Sequence, residues 1–234
     1  MQISAMTPEQ KSSFQEKGYL LLRGALIKKQ VRPIKEHILA ELSRLKIWSS
    51  GKSLSASIKQ MPAFQQIAKL SGLVKQHDLQ SKVITPDTLA LINALAEGKL
   101  APAQSQLLIS LPHQGDWTLN GLNWHTDISS HQQRIPGIQA FILIDDVNPH
   151  GGATLALAGT HLLSDRGESR RNIREVLRNG SELESELSRS NLSIVEMSGQ
   201  AGDMYLMDMR LLHTPSINSS KNIRMMATVR YLLA

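Results

Sequence analysis

The chain has 234 residues, of which 41% are hydrophobic and 20% charged, with a formal net charge of +6 and a pI near 9.7. This length suits one domain with a full core, and the composition is that of a soluble globular protein. The absence of cysteine excludes disulfides, thiolate metal sites and cysteine nucleophiles, so any metal must be held by histidine and carboxylate. Met1 to Gln10 shows no basic segment followed by an apolar run, and no stretch is apolar enough to span a membrane, so a cytoplasmic location is expected. The positive charge admits an anionic substrate. It does not argue for nucleic acid, because the basic residues form no run and aromatics make up only 4% of the chain.

Thr7-Pro8-Glu9-Gln10 opens a helix with a capping-box pattern, and Gly18 ends it. Tyr19 to Leu22 reads as a short strand stopped by Arg23-Gly24. Val31, Ile34, Ile38, Leu42 and Leu45 repeat at helical spacing and predict an amphipathic helix over roughly 29–46. Residues 48–56 are rich in serine and glycine and read as a loop. Ile58, Phe64 and Ile67 suggest a further helix whose start Pro62 limits. Thr85-Pro86 opens another, with Leu89, Ile92 and Leu95 on one face and Gly98 as its stop. The first hundred residues are thus mostly helical support. His37 and His77 lie here singly, as surface or packing residues.

From about residue 104 the character changes. Gln106 to Leu111, Ile138 to Ile144, Ala153 to Leu157, Leu192 to Met197, Asp203 to Met209 and Arg224 to Leu233 read as short strands separated by turn signals. Without a βα rhythm these predict antiparallel sheets, hence an α+β fold: a barrel or sandwich over 104–234 buttressed by N-terminal helices. One segment breaks the pattern. Ser164 to Arg189 is charged and helical, divided at Asn179-Gly180, with a second capping box in Ser181-Glu182-Leu183-Glu184. Arg166, Arg170, Arg174 and Arg178 share one face there. That face reads as solvated and paired with nearby glutamates, in preference to an anion-binding lid.

The chemistry concentrates around Trp124-His125-Thr126-Asp127. In an extended strand His125 and Asp127 leave the backbone on the same face. His213 offers a third ligand far downstream. Two histidines and one carboxylate on one face of an octahedral ion leave the opposite positions open, which suits non-haem Fe(II). In the last strand Arg224, Met226, Thr228 and Arg230 share one face. A buried arginine needs a partner, and a dicarboxylate co-substrate would supply one. Arg230 lies roughly 20 Å beyond Arg224 along an extended strand, so only one of them is expected at the metal, and Arg224 is preferred. A structural ion pair with Asp203 or Asp208 is the expectation for Arg230.

Taken together these motifs resemble the phytanoyl-CoA dioxygenase family of Fe(II)- and 2-oxoglutarate-dependent oxygenases. The matches are ordered: the opening helix through Gly18-Tyr19, the tryptophan–histidine–x–aspartate motif, Gly151-Gly152, Ala158-Gly159-Thr160-His161, Gly202-Asp203 leading to His213, and then Arg224. Ala158 replaces the usual proline and Thr160 the usual serine, and the chain is short for the family, so the phytanoyl-CoA substrate is not carried over. The resemblance implies a double-stranded β-helix (a jelly-roll, cupin-like barrel) in which His125, Asp127 and His213 hold Fe(II). It further implies that 2-oxoglutarate pairs with Arg224 and that O2 takes the last position, with succinate and CO2 as co-products. Thr214 and Gln106 are further co-substrate candidates. Trp117, Asn123 and Arg210 are candidates to meet the substrate, and Trp124 to shape the pocket. His113, His131, His150 and His161 read as loop or structural histidines. The intact carboxylate favours hydroxylation, or a related oxidation such as desaturation, over halogenation. The substrate is expected to be a small molecule, anionic or carrier-linked. Two alternatives stand beside this reading: a non-catalytic binding protein on the same barrel, and a nucleic-acid-modifying oxygenase.

Overall fold

The computed structural model describes residues 6–129, 134–163, 167–179 and 183–233. Helix α1 (Pro8–Lys17) starts as its sequence dictates: the Gln10 N–H donates to Thr7 Oγ1 at 3.2 Å and the Thr7 N–H to Gln10 Oε1 at 3.0 Å. Gly18 closes it at φ 77°, where a Cβ would lie 2.6 Å from His161 Nδ1. Strand β1 (Tyr19–Leu22) follows, then the amphipathic helix α2 (Lys28–Arg44), which buries Val31, Ile34, Ile38 and Leu42.

Residues 48–56 depart from the expected loop. They contain a small hairpin, β2 (Trp48–Ser49) and β3 (Lys52–Ser53), because Ser50 and Gly51 both take positive φ, 50° and 76°, which joins strands tightly. The helix expected around Ile58 to Ile67 is two, α3 (Ala56–Lys59) and α4 (Ala63–Leu73), with Pro62 as the N-cap of the second. Helix α5 (Leu79–Val83) is too short to announce itself by periodicity, and α6 (Pro86–Leu95) starts at its Thr85 cap as expected.

The remaining strands are β4 (Leu100–Ser110), β5 (Gly137–Leu143), β6 (Thr154–Ala158), β7 (Ser193–Glu196), β8 (Met204–Asp208), β9 (Leu212–Pro215) and β10 (Arg224–Leu233). They form a five-stranded antiparallel sheet, β1-β8-β5-β10-β4, and a three-stranded one, β7-β6-β9. β4 begins earlier than expected, and its first half is exposed and contains Pro102, which an edge strand tolerates.

Alternation along the strands separates two cores. Ile138, Ala140 and Ile142 of β5 and Met225, Ala227 and Val229 of β10 join Ile34, Ile38, Leu70 and Ile92 of the helices. The opposite face of the large sheet, with Phe141, Leu143, Tyr205, Met207 and Met226, packs with Ala156 of the small sheet. Helices α7 (Glu168–Asn179) and α8 (Leu183–Arg189) cover the small sheet from outside, where Ile173 and Leu177 meet Leu157 and Leu212. Arg174 and Arg178 are exposed. Arg166, the Arg170 side chain, Gly180, Ser181 and Glu182 of the second capping pattern, and His131 lie outside the described residues. Among the described residues no helix is long and apolar enough to cross a membrane.

Candidate metal centre and its cavity

His125 and His213 face each other across an antiparallel bridge. The His125 N–H donates to the His213 carbonyl at 3.0 Å, and the His213 N–H to the His125 carbonyl at 2.9 Å. The segment around His125 thereby extends the small sheet beyond β9. The two rings come within 4.4 Å of each other. Period-2 alternation then carries Asp127 to the same side, and one ligand atom from each of His125, Asp127 and His213 falls within 4.8 Å of the others.

Both imidazoles are oriented by the same local device. His125 Nδ1 lies 2.8 Å from the Asn123 carbonyl and His213 Nδ1 lies 3.1 Å from the Leu211 carbonyl, each two residues back. A carbonyl only accepts, so each Nδ1 carries the proton and each Nε2 keeps its lone pair for a metal. Burial pushes the His213 pKa down to about 4, against the pull of Asp127, so the ring is neutral at physiological pH. Asp127 uses its carboxylate asymmetrically. Oδ1 accepts from the Arg230 guanidinium at 2.9 Å, while Oδ2 lies 3.7 Å from His213 Nε2, buried and without a hydrogen-bond partner.

These groups line a cavity of about 540 Å³ that also receives Gln106, Phe64 and both Arg224 and Arg230. Arg224 is 2% exposed, its Nη1 donates to the Leu108 carbonyl at 3.2 Å, and its Nε and Nη2 are buried without partners among the described residues. Burial pushes its pKa down to about 9. A guanidinium held this way fits an incoming carboxylate, just as the free Asp127 oxygen and the two Nε2 atoms fit a divalent metal.

One sequence-derived expectation is overturned, that for Arg230, and the other candidates fall in different places. Arg230 does not pair with Asp203 or Asp208; it reaches Asp127. Asp203 pairs with Arg23, and Asp208 with Arg210. The backbone separation along β10 is bridged by the length of two arginine side chains and of the cavity they share. Arg210 grips Asp208 through Nε and Nη2 and lines a separate groove with His161. Thr214 alternates away from His213 and donates to the Pro215 carbonyl, outside the cavity lining. Trp117 stacks on His150 at 4.3 Å and is also outside that lining. Trp124 alternates with His125 and packs with Leu157 and Leu212. Asn123 meets the site through its backbone carbonyl and otherwise lines a neighbouring cleft of about 940 Å³, which shares Phe64 and Pro215 with the inner cavity.

Gln139 was missed. It lies in a strand that reads as uniformly apolar, yet its amide donates to Thr228 Oγ1 at 2.8 Å and its buried Oε1 has no partner in the cavity wall. The available signal was its place two residues before Phe141, on the inward face. The small residues Ala68, Ser71 and Gly72 of α4, which complete the wall, carried no such signal.

The model of the phytanoyl-CoA dioxygenase (PhyH) family matches residues 14–226. No curated protein matches the chain. Among solved structures, the non-heme alpha ketoglutarate dependent carbocyclase SnoK from nogalamycin biosynthesis aligns with a TM-score of 0.67 at 19% identity, over 99% of this chain and 86% of its own. EctD from S. alaskensis, solved with 2-oxoglutarate and 5-hydroxyectoine, gives 0.61 at 17% identity over 99% and 78%. HygX from Streptomyces hygroscopicus, solved with nickel and 2-oxoglutarate, gives 0.59 at 17% identity over 97% and 87%. These likenesses extend over nearly the whole chain and concern the fold.

Proposed function

Because this chain belongs to the phytanoyl-CoA dioxygenase family, we propose that it is an Fe(II)- and 2-oxoglutarate-dependent oxygenase that hydroxylates an unactivated C–H bond of a small molecule. One observation carries the reading. The free oxygen of Asp127 and the two free nitrogens of Arg224 are buried, partnerless and on the wall of the same cavity. A binding scaffold has no need of both. Their residue types are those a divalent metal and a dicarboxylate would satisfy, and structures of this fold have been solved with nickel or Fe3+ together with the keto acid.

His125 and His213 would hold the metal through Nε2 and Asp127 through Oδ2, a donor set that suits a non-haem Fe(II) working with a keto acid. Bound together, iron and 2-oxoglutarate supply the activation of O2, with succinate and CO2 released and the substrate C–H bond oxidised. The chain does the rest. Arg224 receives the distal carboxylate through a two-pronged pair and so fixes which end of the co-substrate faces the metal. Phe141, 2% exposed, lines the cavity and stands edge-on to His213 with ring centroids 6.5 Å apart. Gln106 and Gln139 offer hydrogen bonds to bound groups, and the cleft beyond Phe64 gives room for the part of a substrate that does not react. We read the two sheets as the walls of a double-stranded β-helix around this cavity.

The test is succinate release from 2-oxoglutarate in air with added Fe(II). Wild-type protein should release succinate, and Asp127→Ala should lose at least about 100-fold of that rate, since loss of a ligand costs no less than the roughly 10–100-fold that loss of a ligand's outer partner costs. Equal rates in the two proteins would remove Asp127 from the site.

A further inference from the structure

Arg230 stands six residues after Arg224 on the same inward face of β10, and the two guanidinium groups are used differently. That of Arg224 has no carboxylate. That of Arg230 donates from Nη2 to Asp127 Oδ1 at 2.9 Å, with the Asp127 side chain 9% exposed. Arg230 is itself braced. It faces Gln104 on β4 and Gln139 on β5 in register, and its Nη1 approaches Gln104 Oε1 at 3.4 Å. The strand carrying Arg230 is paired on both sides, with β5 and with β4. Asp127, by contrast, belongs to a segment outside the regular strands, tied near it by the His125 bridge and by its own N–H to the Met209 carbonyl at 3.2 Å. The Asp127 carboxylate takes its charged hydrogen bond from Arg230, a residue of a regular strand.

We propose that Arg230 is a positioning residue for the metal centre: it occupies one oxygen of Asp127 so that only the other can bind the ion. This rests on reading His125, Asp127 and His213 as the ligand set. A carboxylate free to bind through both oxygens would take a position that the keto acid or O2 requires. A partner on the second oxygen fixes both the rotamer and the one-oxygen mode, as outer hydrogen bonds do for ligands at metal sites generally. Arginine suits the task because its planar fork holds direction as well as charge. The two arginines of β10 thereby divide the labour, Arg224 toward the co-substrate and Arg230 toward the metal.

The division can be read without turnover. Mn(II) binding to the metal-free full chain is measured by the EPR signal of the free ion, and 2-oxoglutarate binding to the Mn(II) form by calorimetry. Arg230→Gln should weaken Mn(II) binding by about 10–100-fold. Arg230→Lys should fall between that and wild type. Arg224→Gln should leave Mn(II) affinity within about twofold of wild type while abolishing 2-oxoglutarate binding. Circular dichroism checks that each variant is folded, and if Arg230→Gln is not, Arg230→Lys must by itself bind Mn(II) more weakly than wild type. Wild-type or tighter Mn(II) affinity in a folded Arg230 variant overturns the positioning role and leaves the ligand set standing. Failure of the wild-type protein to bind Mn(II) overturns both.

Discussion

Arg224 is a buried charge with a single backbone partner among the described residues. Its charge is 2% exposed, it has one hydrogen bond to a backbone carbonyl, and burial alone lowers its pKa. Arginine does not readily give up its proton, so the direction of the shift records a desolvation that its one hydrogen bond among the described residues does not offset. Methionine at this position would fill similar space without the charge. Arg224→Met should therefore raise the stability of the metal-free protein by about 1–4 kcal/mol, the range seen when buried charges give way to apolar side chains. The check is the chemical denaturation midpoint. A lower midpoint would mean that the guanidinium already has adequate partners in the fold. The spacing of His125, Asp127, His213 and Arg224 was visible in the sequence because strand alternation and ligand chemistry are local rules. The role of Arg230 was not, because it depends on a contact between residues far apart in the chain, and no local pattern encodes that.

At the scale of elements, the turn before β8 shows how the large sheet is fastened to the N-terminal helices. Gly202 has φ +93°, and a Cβ there would meet the Leu26 carbonyl oxygen at 1.9 Å. The Leu26 N–H in turn donates to the Gly202 carbonyl at 3.0 Å, and the Asp203 carboxylate accepts from the Gly24 N–H at 2.8 Å and from Arg23 at 2.9 Å. Gly202→Ala combines an unfavourable φ with a backbone clash and should destabilise the protein by at least about 2 kcal/mol. An unchanged denaturation midpoint would show that the loop between β1 and α2 yields freely. The Gly202-Asp203 pair was recognisable in the sequence, and so were the long elements: α2 from its repeat, β5 and β10 from their apolar runs. The short ones escaped for a physical reason. A two-residue hairpin at Ser50-Gly51 and a five-residue helix at Leu79–Val83 hold too few residues to show a period.

Over the whole molecule, the layers place the site. Helices α2, α4, α5 and α6 contribute to the core on one face of the large sheet, α7 and α8 cover the outside of the small one, and the cavity opens between the sheets with α4 as part of its wall. None of the described residues of α7 or α8 lines the cavity, so the exposed arginines of α7 face solvent away from the metal site. The order of motifs along the chain made the fold legible, because each strand must return a ligand or an arginine to one place. Substrate preference was not legible. The wall that decides it comes from α4, from loops and from one glutamine inside an apolar strand, and each of these looks ordinary until the chain is folded.

The most direct test is an anaerobic titration of the metal-free protein, first with Fe(II) and then with 2-oxoglutarate, following the weak visible charge-transfer band of an iron-bound keto acid. The account predicts a band that needs both additions, is lost in His213→Ala and is weakened in Arg224→Ala. A folded, iron-loaded protein that shows no band would contradict it.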